Sequence, residues 1–302
     1  MDLIYIKRKY RNRAILIISI FILVTILVIL VLINYITKVT SINRCYMEYE
    51  TQISTIQNLV KPKVEKDNTI KVIAERKDEE LPNLTEKGLE NIYNIYKSEK
   101  KRVFLTFDDG PSKTVTIPIL DLLKQENIKA TFFVLGSRVE LYPSIVKRAY
   151  YEGHFIANHG YSHEYSRIYS YPQSVLDEYN KTNKAIRKAI GKKEYNSHLF
   201  RFPGGSTGGK YKDVKKAAIN KLQENNIAYV DWNALTGDSE GGKRTPEQLI
   251  MQLQETVGQK NSIVVLMHDA GNKQTTYEAL PQVISFFREN GYEFKSFYEI
   301  IK

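Results

Sequence analysis

From residue 100 onward the chain alternates short β-rich runs with helical stretches, and this alternation limits the fold more than any other feature. The strand candidates are RVFLTF (102–107), ATFFVL (130–135), HFIAN (154–158), HLFRF (198–202), IAYVDW (227–232), SIVVLM (262–267) and YEFKSF (292–297). Between them, Thr114 to Glu126 carries Ile117, Leu120 and Leu123 in helical step, and Pro143 to Glu152 opens with proline at a first turn. Residues 174–190, 211–225, 246–257 and 276–289 continue the series. Strands alternating with helices imply a parallel sheet, because each helix carries the chain back across a face. Seven strands over residues 100–302 predict an α/β fold, a distorted (β/α) barrel of about seven parallel strands, incomplete rather than an open sheet. Such barrels build active sites at the C-terminal strand ends, which is where this chain places its polar residues.

The N-terminus constrains location. Ala14 to Ile33 carries no charge, and about 20 apolar residues suffice for a helix to cross a bilayer. Lys7, Arg8, Lys9, Arg11 and Arg13 precede it, so residues 1–13 are expected to be a cytoplasmic basic tail and 14–36 a single-pass plasma-membrane anchor. Everything beyond then lies outside the cell. The run exceeds a signal-peptide core of about 7–15 residues and is followed by NYITKVTS without a small-residue cleavage site, so it reads as uncleaved. Residues 37–99 are polar, rich in Lys and Glu, and broken by Pro62 and Pro82; they read as an extracellular stalk, with weak helical periodicity at Leu89, Ile92 and Ile95. The α/β domain is expected over 100–302.

Cys45 is the only cysteine, which excludes an intrachain disulfide and any Cys-based zinc finger. A metal site in this chain must use histidines and carboxylates. The net charge of +10 comes partly from the basic tail. The rest suits anionic wall polymers or a merely solvated surface, and no motif supports nucleic-acid binding.

The polar groups at the strand ends form a series. The first strand ends in Asp108 and Asp109, followed by a turn at Gly110–Pro111. A turn there can bring both carboxylates to one opening, although an Asp-Asp-Gly turn alone is common. The third strand runs into NHGYSH, with His159 and His163 four apart. The fourth ends in Arg201 and a Gly204–Gly205 pair, the fifth in Asp231 and Trp232, and the sixth in His268. Three of the five histidines thus lie just past strands, while His154 and His198 begin strands and read as structural.

Five ordered motifs, TFDDGPS (106–112), HGYSH (159–163), RFPGG (201–205), DW (231–232) and LMH (266–268), make the chain resemble the polysaccharide deacetylases of the NodB-homology type, carbohydrate esterase family 4. An anchor, a stalk and this domain in that order are similar to the peptidoglycan N-acetylglucosamine deacetylases of Gram-positive bacteria. The resemblance implies a hydrolase that removes N-acetyl groups from the N-acetylglucosamine of peptidoglycan at the cell wall. It implies Asp109, His159 and His163 as ligands of a divalent metal, usually Zn2+, with Co2+, Ni2+ and Fe2+ suited to the same donors. It implies Asp108 as general base oriented by Arg201, and His268 as general acid paired with Asp231. Trp232 and Leu266 are expected to wall the acetyl pocket, with Pro203 and the Gly204 amide in substrate contact.

The chemistry is coherent on its own terms. Amide hydrolysis needs an activated water, relief of charge on the carbonyl oxygen and a proton for the leaving amine. Zinc with three protein ligands keeps a position for water and lowers its pKa toward about 7. A cationic neighbour keeps a base ionised, and a carboxylate partner raises a histidine toward the protonated form. Two departures stand out: Gly160 follows His159 where the family usually has Ser or Thr, and Gly204 stands where it usually has an aromatic. Tyr161, Tyr165, Tyr169 and Tyr171 cluster beside the site, suited to sugar rings or to ordinary packing. Alternative readings keep the machinery with another substrate (chitin oligomers, poly-N-acetylglucosamine, acetylated xylan), or make the chain a non-catalytic wall-binding protein. Two His and one carboxylate also describe non-haem iron oxygenases, but those usually sit on all-β scaffolds.

Overall fold

The computed structural model describes residues 81–301. The basic tail (1–13), the anchor (14–36) and most of the stalk (37–99) lie outside the described residues. Among the described residues no helix is long and apolar enough to cross a membrane.

In chain order the elements are α1 (Glu86–Tyr93), β1 (Arg102–Asp108), α2 (Thr116–Gln125), β2 (Thr131–Val134), α3 (Gly136–Leu141), α4 (Pro143–Tyr151), β3 (Phe155–Asn158), α5 (Tyr165–Ile168), α6 (Pro172–Ile190) and β4 (Leu199–Phe200). They continue with α7 (Lys212–Glu224), β5 (Ala228–Tyr229), β6 (Ala234–Leu235), α8 (Pro246–Val257), β7 (Ser262–His268), α9 (Gln274–Glu289), β8 (Glu293–Phe294) and a 3-10 turn at Phe297–Glu299. All seven strands expected from sequence are present. The eighth, β6, is two residues long, too short to show a period in sequence.

The strands run parallel in the order β5-β4-β3-β2-β1-β7-β6, with β8 also pairing β1. This curved sheet with helices outside it agrees with a distorted (β/α) barrel. β1 is central and both its faces are buried, so its apolar residues divide by alternation. Val103, Leu105 and Phe107 face a core shared with the helices. Phe104 faces an inner core with Phe133, Phe155, Leu199 and Val264. Register sets Asp108 level with Phe133 on one side and with His268 on the other. The carboxyl ends of β1 and β7 therefore open on the same face.

The expected domain boundary at residue 100 is corrected. Leu84, Ile92 and Ile95 are buried in the inner core with Phe297, Ile300 and Ile301. Their apolar stripe, which reads as weak stalk periodicity, has its partner in the C-terminal residues. Thr85 caps α1 by accepting the Gly88 amide at 3.0 Å, and a Cβ at Gly88 would collide with the Ile301 carbonyl. α1 packs beside β5, at the end of the sheet path. Burying each isoleucine contributes roughly 1.5–3 kcal/mol, so the last part of the stalk belongs to the folded domain.

Candidate active site

Asp108 ends β1 and is almost fully buried, facing an Arg201 side chain with no solvent exposure. Arg201 Nη1 donates to Asp108 Oδ1 at 2.9 Å and to Thr106 Oγ1 at 2.7 Å, while Nη2 donates to the Asp231 carbonyl at 3.0 Å. Its guanidinium lies over the Phe133 ring, 3.9 Å from the centroid. A buried guanidinium with its donors used in this way has one position only. Burial pushes the Asp108 carboxyl above the ordinary range, and the Arg201 and His268 charges pull it back toward the ionised form.

Next to it, Asp109, His159 and His163 each offer one donor atom within 4.8 Å of the others. His163 Nε2 is 3.3 Å and His159 Nε2 3.5 Å from Asp109 Oδ1. Two details test whether this set suits a metal. Asp109 Oδ1 is buried without a hydrogen-bond partner. His159 Nδ1 lies 2.8 Å from the Arg201 carbonyl, which can only accept, so the proton sits on Nδ1 and Nε2 presents its lone pair. Burial lowers the His159 pKa to about 3, so the ring is neutral, as a ligand must be. Asp109 and His163 both hold left-handed backbone, φ 72° and 59°, a strained conformation that clusters at functional sites. The donors fit a divalent cation of borderline or hard character.

The loop between the two histidines is ordered without a hydroxyl after His159. Gly160 takes φ 83°, and its amide donates to Asn158 Oδ1 at 2.9 Å. Glu178, on α6, accepts the Tyr161 amide at 2.6 Å and the Ser162 amide at 2.8 Å on one oxygen, and the Ser162 hydroxyl at 2.9 Å on the other. Sequence reading missed Glu178. Its signal was an acidic residue on the same helical stripe as buried Ser174 and Thr182, where a charge stays only if something binds it.

His268 corrects a second expectation. Its Nδ1 pairs with Asp238 Oδ1 at 2.8 Å, and its backbone amide donates to Asp238 Oδ2 at 2.7 Å. Asp231, the expected partner, instead accepts the Ser206 amide at 3.0 Å and the Ser206 hydroxyl at 2.5 Å. Register gives the reason. β6 pairs with β7, Leu235 opposite Leu266, so Asp238, three residues past β6, comes beside His268, the last residue of β7. Asp231 lies past β5, at the far end of the sheet path. Burial alone would lower the His268 pKa, but the Asp238 hydrogen bond and charge, with the Asp108 and Asp109 charges, lift it to about 9. Asp238 itself is held ionised by the same pair against its burial.

Another acid unforeseen in sequence is Asp269. It is buried, accepts from Thr116 Oγ1 at 2.6 Å, and packs where any side chain at Gly110 would sit. Burial foremost, and the neighbouring Asp108 and Asp109 charges, raise its pKa to about 7.

The remaining expected residues lie as follows. Leu266 is buried on β7, and the Trp232 ring lies 5.8 Å from the Arg201 guanidinium. The Pro203 carbonyl accepts from Tyr169 Oη at 2.7 Å. Gly204 is exposed at φ 73°, and a Cβ there would lie 2.5 Å from Tyr165 Oη. Tyr165 thus fills the space that the missing aromatic after Pro203 leaves. A cleft of about 410 Å³ opens beside Asp109 and His163, lined also by Leu135, Arg138 and Leu141. His154 is structural, as expected: its Nδ1 accepts the Ala130 amide at 3.1 Å.

Comparison with known proteins agrees with this geometry. The family profile described as polysaccharide deacetylase matches residues 96–225. A peptidoglycan-N-acetylglucosamine deacetylase of Bacillus cereus is 33% identical over 204 residues, 67% of this chain and 71% of that protein. Among solved structures, a Streptococcus mutans CE4 esterase superposes with TM-score 0.62 at 32% identity, covering 69% of this chain and 90% of that one. The catalytic domain of a peptidoglycan N-acetylglucosamine deacetylase from Eubacterium rectale gives 0.60 at 32% identity, covering 66% and 90%.

Proposed function

Because the chain belongs to the polysaccharide deacetylase family, we propose that it hydrolyses the acetamide of N-acetylglucosamine units in peptidoglycan, with a divalent metal, Zn2+ first, held by Asp109, His159 and His163. The observation that carries this reading is the meeting of three differently prepared groups at the strand ends: the Asp109, His159 and His163 donor set, a carboxylate locked by Arg201, and a histidine raised by Asp238. The substrate is taken from what the Bacillus cereus and Eubacterium rectale proteins are named for.

When bound, the cation supplies Lewis acidity toward the carbonyl oxygen and toward water. Asp108 takes a proton from the attacking water, whose oxygen bonds to the acetyl carbon; Arg201 keeps that carboxylate aimed. The Gly205 amide is already used on the Phe202 carbonyl at 2.8 Å, so Gly204 is the backbone donor for the developing oxyanion. His268, its Nδ1 held by Asp238, presents Nε2 and gives its proton to the leaving nitrogen as the C–N bond breaks. Acetate and a free glucosamine amine result. Trp232 and Leu266 shape the acetyl side of the opening. The N-terminal run supports a single-pass anchor that leaves this domain facing the wall, with residues 1–13 in the cytoplasm.

Mass spectrometry of muropeptides incubated with the full chain tests the reading. Loss of acetyl groups, abolished by chelation, restored by Zn2+ and absent in Asp108→Asn and His268→Ala, is expected. Unchanged muropeptides alongside deacetylated chitin oligomers would overturn the wall substrate, and full activity in either variant would overturn the roles.

A further inference from the structure

The family profile begins at residue 96, so α1 lies before it. Yet α1 helps line a second cavity of about 360 Å³, formed by Tyr93, Tyr96, Tyr229 and Trp232 with Ser206 and Asp231. Tyr93 and Tyr96 are among the largest apolar side chains left exposed, 42% and 39%. Their placement is fixed. Gln223 donates to Tyr93 Oη at 2.6 Å, and the Tyr93 ring meets Tyr229 edge-on at 6.3 Å. The carbonyl of Ile95, the residue before Tyr96, accepts from both Arg102 and Ser262. The cavity adjoins the catalytic groups: the Trp232 ring edge lies against Gly205, and the carbonyl of Asp231 is an acceptor of Arg201.

We propose that this cavity binds one pyranose ring of the glycan chain, beyond the sugar that reacts, with Tyr96 and Trp232 supplying aromatic faces and Asp231 and Ser206 the polar edge. The proposal rests on the deacetylase reading for the identity of the chain. A pyranose ring offers apolar C–H faces and a hydroxyl rim, and a pocket that pairs aromatic rings with a few fixed acceptors matches both. A peptide would also need backbone partners, and the Asn233 side chain on this wall is already used by Ser262 and Val264. Asp231, freed from pairing with His268, finds its role here: Ser206 fixes its orientation while its oxygens retain lone pairs for sugar hydroxyls. Tyr93, just before the matched family region, and Tyr96, at its first residue, thus select for chain length.

The chain holds a single tryptophan, Trp232, so its emission reports directly on this wall. The full chain is titrated with a β-1,4-linked N-acetylglucosamine tetramer and with the monosaccharide. A saturable emission change with the tetramer is expected, with half-saturation raised about tenfold in Tyr96→Ala and restored in Tyr96→Phe, the size of one lost aromatic contact. KM for the tetramer should rise in the same variant while kcat holds. A tetramer response identical in Tyr96→Ala, with unchanged KM, overturns the subsite and leaves the deacetylase reading intact. A Tyr96-dependent response with no acetyl release upholds the subsite and overturns the deacetylase reading.

Discussion

Asp238 grips His268 twice, by Oδ1 on the ring Nδ1 and by Oδ2 on the backbone amide. Thr276 Oγ1 donates to the same carboxylate at 2.7 Å, and the Asp238 carbonyl accepts Lys273 Nζ at 2.8 Å, so the acid's partner is itself tied to the start of α9. The pairing fixes orientation and charge together.

This gives a pH prediction with a definite sign. The His268 pKa is raised to about 9, so the ring is protonated through neutral pH and loses its proton as pH rises through that value. Asp238→Asn removes the hydrogen bond to a carboxylate and its charge, leaving burial opposed only by the Asp108 and Asp109 charges, so the pKa falls. The basic limb of kcat/KM should move to lower pH, with activity near pH 7 reduced; general acid–base catalysis is worth roughly 10²–10⁴-fold. Asp231→Asn should leave that limb in place. A pH–rate profile of the two variants checks it, and a basic limb moved by Asp231→Asn but not by Asp238→Asn would refute the pairing.

The barrel was legible because long-range order rests on β1 and β7, with six and seven buried residues, whose apolar runs stand out in any window. The metal donors and Arg201 were legible because they stand beside turn-forming glycines or prolines at strand ends. Asp238 was hidden by β6, whose two residues set its position yet show no period. Glu178 was hidden by distance: the loop it holds lies on the other side of α5 in sequence. α1 was mistaken for stalk because its apolar stripe is narrow, and its partners Phe297, Ile300 and Ile301 come at the end of the chain.

Glu178 predicts a metal phenotype without touching the metal. Its three hydrogen bonds fix the Tyr161–Ser162 segment that leads to His163. Outer groups that orient ligands typically contribute 10–100-fold to metal affinity. Glu178→Gln keeps the shape but replaces two charge-assisted acceptors with one amide oxygen. Competitive Zn2+ titration should show affinity lowered by about tenfold in Glu178→Gln and more in Glu178→Ala. An unchanged affinity in both would mean that the loop is held by Asn158 alone.

Arg201 predicts a stability cost distinct from its effect on rate. Removing it leaves Asp108 buried without its cation, and breaking a buried pair costs about 3–5 kcal/mol. Arg201→Met should lower the urea midpoint accordingly, while Arg201→Met with Asp108→Asn should recover part of the loss, because no unpaired charge remains. Neither variant should be active. A double variant as unstable as the single one would show that packing of the guanidinium over Phe133, rather than charge, dominates.

The last prediction concerns where the domain begins. A chain starting at residue 100 keeps every catalytic group but loses Leu84, Ile92 and Ile95, opening the inner core onto water at Phe297, Ile300 and Ile301. Deleting one buried side chain of this size costs about 2–5 kcal/mol, comparable with the 5–15 kcal/mol that keeps a domain folded. Residues 100–302 should therefore be poorly soluble or melt well below residues 81–302. Within 81–302, Ile92→Ala should lower the urea midpoint, and Gly88→Val should do so as well by forcing α1 away from the Ile301 carbonyl. Gly88→Val should also blunt the Trp232 response to the tetramer, because α1 carries Tyr93 and leads into Tyr96. Equal melting of the two lengths would place α1 outside the cooperative unit and return residues 81–99 to the stalk.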